Sequence, residues 1–287
     1  MLAIYKKELR TYFTSMIGYV FIAFFLVIIG IYFYFQNLFM GNAKFEQTMN
    51  AVTFIFVLLV PLLTMRLMAE ENKQKTDQLL LTSPVTAGSI VIGKFLAVFT
   101  IFFTVMAIIC TYPLIMNQYG DVPFASAYAG ILGFTFLGGA YLAMGFFLSA
   151  LTDSQVVAAV ITFIVFIFTA FMEGIAGIFP ADNKTAYLVF SVILLIICGI
   201  FYLMMHNLTI SVSIGFIGEL ALTAAYLLKP VLFDGLVIKV FGWVSVIKRF
   251  STFYFGVLDL TSVVYYLSII FLFLFLTTQV IKKKRWS

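Results

Sequence analysis

The chain has 287 residues, of which 63% are hydrophobic and only 10% charged, with mean hydropathy +1.13 and formal net charge +5. Soluble domains carry about 25% charged residues, so a water-soluble fold is excluded: it could not hide this much apolar surface. The positive charge does not point to nucleic acid. Lys and Arg sit at the ends of apolar segments, where membrane orientation needs them.

In chain order, Lys6, Lys7 and Arg10 precede an apolar run of full spanning length, and no small-residue cleavage site stands out, so the start does not read as a signal peptide. A span needs roughly 20 mostly apolar residues. Spans are predicted over 16–35, 49–65 (between Glu46 and Arg66), 95–116, 124–151, 154–172 (between Asp153 and Glu173), 185–205, 208–228 and 260–281. The result is an all-α, polytopic transmembrane helix bundle of 6–8 spans, treated as one domain over 1–287. An even span count puts both termini on one side, and the basic clusters at both ends, including Lys282-Lys283-Lys284-Arg285, make that side the cytoplasm. The 70–94 connection is then cytoplasmic too, and the 117–123 loop, with Asp121 and no Lys or Arg, is external. The 229–259 stretch fits less well, because it should be external yet carries Lys229, Lys239, Lys248 and Arg249. It is apolar but broken by Pro230, Gly235, Gly242 and Gly256, which suits short interfacial or re-entrant helices better than a span.

No enzyme centre is visible. His206 is the sole histidine, with no Cys or second His at metal-ligand spacing, and it reads as a residue at a helix end. Cys110 and Cys198 lie within apolar segments and read as small buried hydrophobes. The run Gly88-Ser89-Ile90-Val91-Ile92-Gly93-Lys94-Phe95 nearly spells a phosphate-binding loop. Phe95 stands where a Ser or Thr must hold magnesium, however, no strand pattern precedes it, and the run continues into a span. Lys94 reads instead as the cytoplasmic anchor of that span, and the chain has no ATP site of its own. Glu219 interrupts the 208–228 span, at a cost on the order of 3 kcal/mol on insertion scales. It is an intramembrane polar site, a protonated acid hydrogen-bonded to a neighbouring helix, or the sign that the span boundary lies elsewhere. If it is a proton or cation site, the alternative function is an ATP-independent secondary transporter or channel. Gly139 and Ala143 have small-xxx-small spacing, which permits close helix contact between chains or within one.

The most patterned polar stretch begins at Glu70. Residues 70–78 carry acid and base in near alternation without Gly or Pro, and Leu79-Leu80-Leu81 adds an apolar edge. Thr82-Ser83-Pro84 then marks a stop, with Ser83 or Thr86 able to cap the next helix. This predicts a short amphipathic helix in the cytoplasmic interface, or else a loop that merely connects two spans.

Glu70-Glu71, Thr76, Leu79-Leu80-Leu81-Thr82-Ser83-Pro84-Val85 and Ile92-Gly93-Lys94-Phe95-Leu96-Ala97 resemble the signature after the second span of ABC-2 type permeases. The start (Tyr5-Lys6-Lys7-Glu8-Leu9, Tyr12-Phe13, Gly18-Tyr19) is similar to their N-terminal interfacial helix. The ending, Phe250-Ser251 through Gly256-Val257-Leu258-Asp259-Leu260 and then Lys284-Arg285-Trp286, resembles the subgroup related to gliding-motility and nitrous-oxide-cluster permeases. Where that family usually has Gly-Thr-Leu-Glu before the leucines, Lys75, Asp77 and Gln78 replace Gly, Leu and Glu. The resemblance implies a permease subunit of a prokaryotic inner-membrane exporter. It would pair with a second permease chain, identical or not, within membrane lipid. Separate ABC ATPase subunits, which bind the ATP and magnesium, would dock beneath a coupling helix. The implied coupling residues are Glu70, Glu71 and Asp77 as docking contacts and Leu79, Leu80 and Leu81 as a lever against the bundle.

Overall fold

The computed structural model describes residues 1–75, 85–205 and 208–286, and these contain helices and no strands. By contacts the chain divides into two compact units, Met1–Ala170 with Arg249–Ser287, and Phe171–Lys248. Five helices are long and apolar enough to cross a membrane, or up to seven spans if each of two bent pairs counts as one. Helices thus cover the eight predicted segments, but the second is bent within itself, the seventh bends just past its end, and the sixth contributes only a shorter apolar helix, Asn183–Gly199.

The first unit opens with α1 (Leu2–Thr14), whose Ile4, Glu8 and Tyr12 form one buried stripe at a spacing of four. The long α2 (Met16–Tyr32) follows and is extended by a π-helical turn, Phe33–Phe39. The chain leaves that turn through a polar knot in which Thr48 Oγ1 donates to Asn37 Oδ1 at 2.6 Å and Asn37 Nδ2 donates to the Asn42 carbonyl at 2.7 Å. The predicted second span is broken: α3 (Phe45–Ala51) meets the helix that follows it at 63°. Between them the ladder tightens to i→i−3 bonds at Ile55, Phe56 and Val57, and the Thr53 hydroxyl takes the Asn50 carbonyl, which accounts for the kink. After α4 (Ile55–Thr64) comes the short α5 (Ala69–Gln74).

The third span starts earlier than predicted. α6 (Ala87–Ile109) is capped by Thr86, whose hydroxyl accepts from Ser89 N–H, so residues 88–94 are two turns of helix and not a phosphate loop. The short α7 (Tyr112–Met116) leads to α8 (Phe124–Ala150), the most buried of the five long candidate spans. The α14 helix (Leu260–Trp286) packs along it. Around α8 the rings of Phe25, Phe56, Phe102, Phe134 and Tyr141 form a continuous cluster, with Phe56 and Phe134 centred 4.5 Å apart. Gly138 is required there, because a Cβ would strike the Phe102 ring. Gly139 likewise faces Ile270 and Phe99 of the same chain, so the small-residue spacing serves internal packing.

The α9 helix (Gln155–Ile178) runs from the first unit into the second. The second unit is built on the hairpin of α10 (Asn183–Met205) and α11 (Leu208–Leu228). The chain then bends by 112°, passes a 3-10 turn (Pro230–Phe233), and continues as α12 (Leu236–Val244). Phe233, Val237 and Ala186 are its small core, packed by Tyr187, Tyr226 and Phe241. The broken 229–259 stretch therefore forms short helices, ending back in the first unit with α13 (Ser251–Tyr254). Cys110 and Cys198 are both free thiols. His206 lies outside the described residues.

Candidate functional site

The polar stretch at Glu70 is rooted in a buried charge cluster that joins three separate parts of the first unit. Lys94 lies two turns into α6 and is only 1% exposed. Its Nζ donates to Glu8 Oε1 at 3.0 Å and to the Leu67 carbonyl at 2.9 Å. Glu71 Oε2 approaches it at 2.9 Å, at an angle too poor for a directed hydrogen bond, and so contributes charge. Lys7 bridges the two acids from outside, 3.2 Å from Glu71 Oε1 and 3.8 Å from Glu8 Oε1. Two cations thus balance two carboxylates. Buried charges persist only where such pairing and hydrogen bonding offset the loss of water.

The residue next to Lys94 makes this approach feasible. A Cβ on Gly93 would lie 3.1 Å from the Met1 carbonyl and 3.3 Å from Ile4 Cγ2, so glycine lets α1 lie close on α6. Tyr5 and Thr100 share a hydroxyl hydrogen bond of 3.1 Å, and Tyr12 OH donates to the Leu63 carbonyl at 3.0 Å. Burial pushes the Tyr12 hydroxyl pKa well above its ordinary value, and the Glu8 charge adds to the rise, so it stays a neutral donor. The Gly93-Lys94 pair that imitates a phosphate loop is thus the seat of the N-terminal helix. Lys94 is not a snorkelling anchor, because its amine is held inside by carboxylates.

The root of the polar stretch is tied to α8 as well. Ser149 Oγ accepts from Met68 and Ala69 N–H at 3.2 and 3.3 Å and donates to the Met65 carbonyl at 3.1 Å. Asn72 Nδ2 donates to the Thr152 carbonyl at 3.2 Å. Helix α5 ends at Gln74, where Lys75 takes the left-handed conformation at φ 55°; the rest of the predicted helix, 76–81, lies outside the described residues. On the far side, Arg285 Nη1 donates to the Val85 carbonyl at 3.3 Å, and Lys284 lies 3.5 Å from Asp153. Both ends of the polar stretch are therefore fastened.

Of the predicted coupling residues, Glu70 is turned to the side and held by Arg66 in a fork of 2.5 and 2.7 Å, with a quarter of its side chain exposed. Glu71 points inward to Lys94 and is 12% exposed. Asp77, Leu79, Leu80 and Leu81 lie outside the described residues. Glu8, Arg66, Asn72, Lys94 and Ser149 carry the geometry, and the sequence did not single them out for it. The detectable signals were Glu8 within the Ile4–Tyr12 stripe and the Gly93-Lys94 pair. Glu46, read as a span boundary, is only 4% exposed and its backbone abuts Gly130.

In the second unit, Glu219 faces the second and third turns of α10. Its Oε1 accepts from Tyr187 OH at 3.0 Å and from Ser191 Oγ at 2.7 Å. Its Oε2 is buried and takes no hydrogen bond among the described residues. A cleft of about 500 Å³ extends from Glu219 between the two helices of the hairpin. Among the described residues no group of three His, Cys, Asp or Glu side chains could hold a metal ion.

These features define a multi-pass, all-α membrane protein with a polar connection braced at one end of its bundle. The chain belongs to the ABC-2 family of transporter proteins, whose model matches residues 41–228, well over half of its length. It is therefore a permease component of an ABC transporter. No curated protein matches the chain.

Proposed function

We propose that this chain is the pathway-forming subunit of an ABC exporter in a prokaryotic inner membrane. Two permease chains, identical or not, would form the pathway, with both termini cytoplasmic. Two separate ATPase subunits would bind ATP and magnesium and dock beneath the segment from Glu70 to Leu81. The observation that supports this reading most is the Lys94 cluster. Because Lys94 holds Glu8 and Glu71 together, a push on the polar segment moves α1 and α6 as one body. Ser149 and Asn72 pass the same displacement to the end of α8. Basic residues gathered at this end, from Lys6 to Arg10 and from Lys282 to Arg285, suit the cytoplasmic face.

The geometry separates two roles that the acidic pair could share. Glu70, held by Arg66, keeps a quarter of its side chain exposed, which suits a docking contact, whereas Glu71 is internal bracing. Glu70→Gln, which can still accept from Arg66, combined with Asp77→Lys should abolish co-purification with the cognate ATPase and the stimulated ATP hydrolysis, while the chain's own melting temperature stays near wild type. Intact complex formation and intact stimulation in that double variant would refute the docking assignment.

A further inference from the structure

The cleft beside Glu219 has walls of one chemistry and one charge, and nothing in the coupling scheme uses it. Leu195, Cys198 and Tyr202 of α10 face Val212 and Phe216 of α11, and Glu219 closes one end. Apart from Lys184 in the first turn of α10, residues 183–228 contain no Lys or Arg, and no described cation forms an ion pair with Glu219. A carboxylate in an apolar wall without a counter-ion is costly, and with only two hydroxyls to compensate it, its negative end favours a cation in the cleft.

The arrangement of the two oxygens restricts the occupant. Oε1 is engaged by Tyr187 and Ser191, and Oε2 is shielded from water, so neither is presented to a hydrated metal ion or an ammonium group that needs direct oxygen contacts. A cation with its charge spread inside an apolar shell needs no such contact. It gains from the nearby negative charge, from burial along the leucine and valine walls, and from the rings of Tyr202 and Phe216. The volume lies within the range of about 300–1,000 Å³ usual for small-molecule sites. Gly199 lies in the cleft lining, and a Cβ there would meet nothing within 4 Å, so the position has room for a larger side chain.

We propose that the α10–α11 cleft is a binding site for lipophilic organic monocations, with Glu219 as its counter-charge and Tyr187 and Ser191 fixing the carboxylate. The site is a property of this chain alone, so its test is separate from that of ATPase coupling.

The test measures equilibrium binding of tetraphenylphosphonium and of tetraphenylborate, equal in shape and opposite in charge, to the purified full chain in nanodiscs, with empty nanodiscs subtracted. The wild type should bind the phosphonium and discriminate against the borate. Glu219→Gln should weaken phosphonium binding by about tenfold or more without weakening that of the borate. Gly199→Leu leaves the Glu219 hydrogen bonds in place and adds bulk to the cleft lining, so it should weaken phosphonium binding by itself. This keeps the proposal testable if Glu219→Gln folds poorly. Equal binding of the two ions by the wild type would overturn the proposal, as would unchanged phosphonium binding in folded Glu219→Gln or in Gly199→Leu.

Discussion

Lys94 and Glu219 are both charges placed in apolar surroundings, and the structure treats them in opposite ways. Lys94 is saturated: two carboxylates and a backbone carbonyl surround one amine, and an outer lysine evens the balance. Glu219 is half satisfied, with two hydroxyls on one oxygen and none on the other among the described residues. A saturated buried pair fixes geometry, because any movement of one partner strands the others. A half-satisfied charge beside open space is arranged to receive something. The first arrangement suits a rigid mechanical joint and the second a binding site.

The strongest way to break that contrast is to remove Lys94. Lys94→Met would leave Glu8 and Glu71 buried without their cation, and stranding one side of such a pair costs about 3–5 kcal/mol. The purified variant should show a large fall in denaturation midpoint, with hydrogen exchange rising first in residues 2–14. Adding Glu8→Gln and Glu71→Gln should recover most of the loss, because an uncharged trio strands nothing. If Lys94→Met unfolds like wild type, the cluster is not a joint and the contrast with Glu219 disappears.

That joint shows where sequence reading stops. Span existence was legible, because twenty apolar residues in a row have few other meanings. The kink at 52–55 was not, since it depends on one threonine hydroxyl turning back on its helix. Glu8 and Lys94 are 86 residues apart, and no local periodicity links them. The Gly93-Lys94 pair was visible, and the phosphate-loop reading was rightly set aside. Its real partner, helix α1, could be seen only once the fold brought Met1 and Ile4 against Gly93. At Glu219 the break in hydropathy was plain, whereas Tyr187 and Ser191 are ordinary residues until α10 and α11 pair.

A smaller perturbation tests the steric half of the same joint. Gly93→Leu leaves every charge in place but puts a side chain where the Met1 carbonyl and Ile4 lie. Overpacking of this kind costs about 1–3 kcal/mol, and here it should lift α1 as a unit. Hydrogen exchange should rise in residues 2–14 with little change in α8. Equal protection of α1 in the variant and wild type would mean that the charges alone seat the helix.

The smallest effect expected is of the opposite sign, and it sharpens how the joint hands over to the polar segment. Lys75 ends α5 in the left-handed conformation, with its N–H turned back to the Asn72 carbonyl at 3.2 Å. A side chain there costs roughly 1–2 kcal/mol, and the permease family that the sequence resembles usually has glycine at this place. Lys75→Gly relieves the strain but adds freedom to the unfolded chain, so a net gain of about 0.5–1 kcal/mol is expected. The gain should appear as a raised melting temperature, with the Lys94 cluster undisturbed. A loss of stability would mean that the Lys75 side chain contributes more than its backbone strain takes away. The replacement of glycine would then be a working contact of this chain and not a tolerated departure.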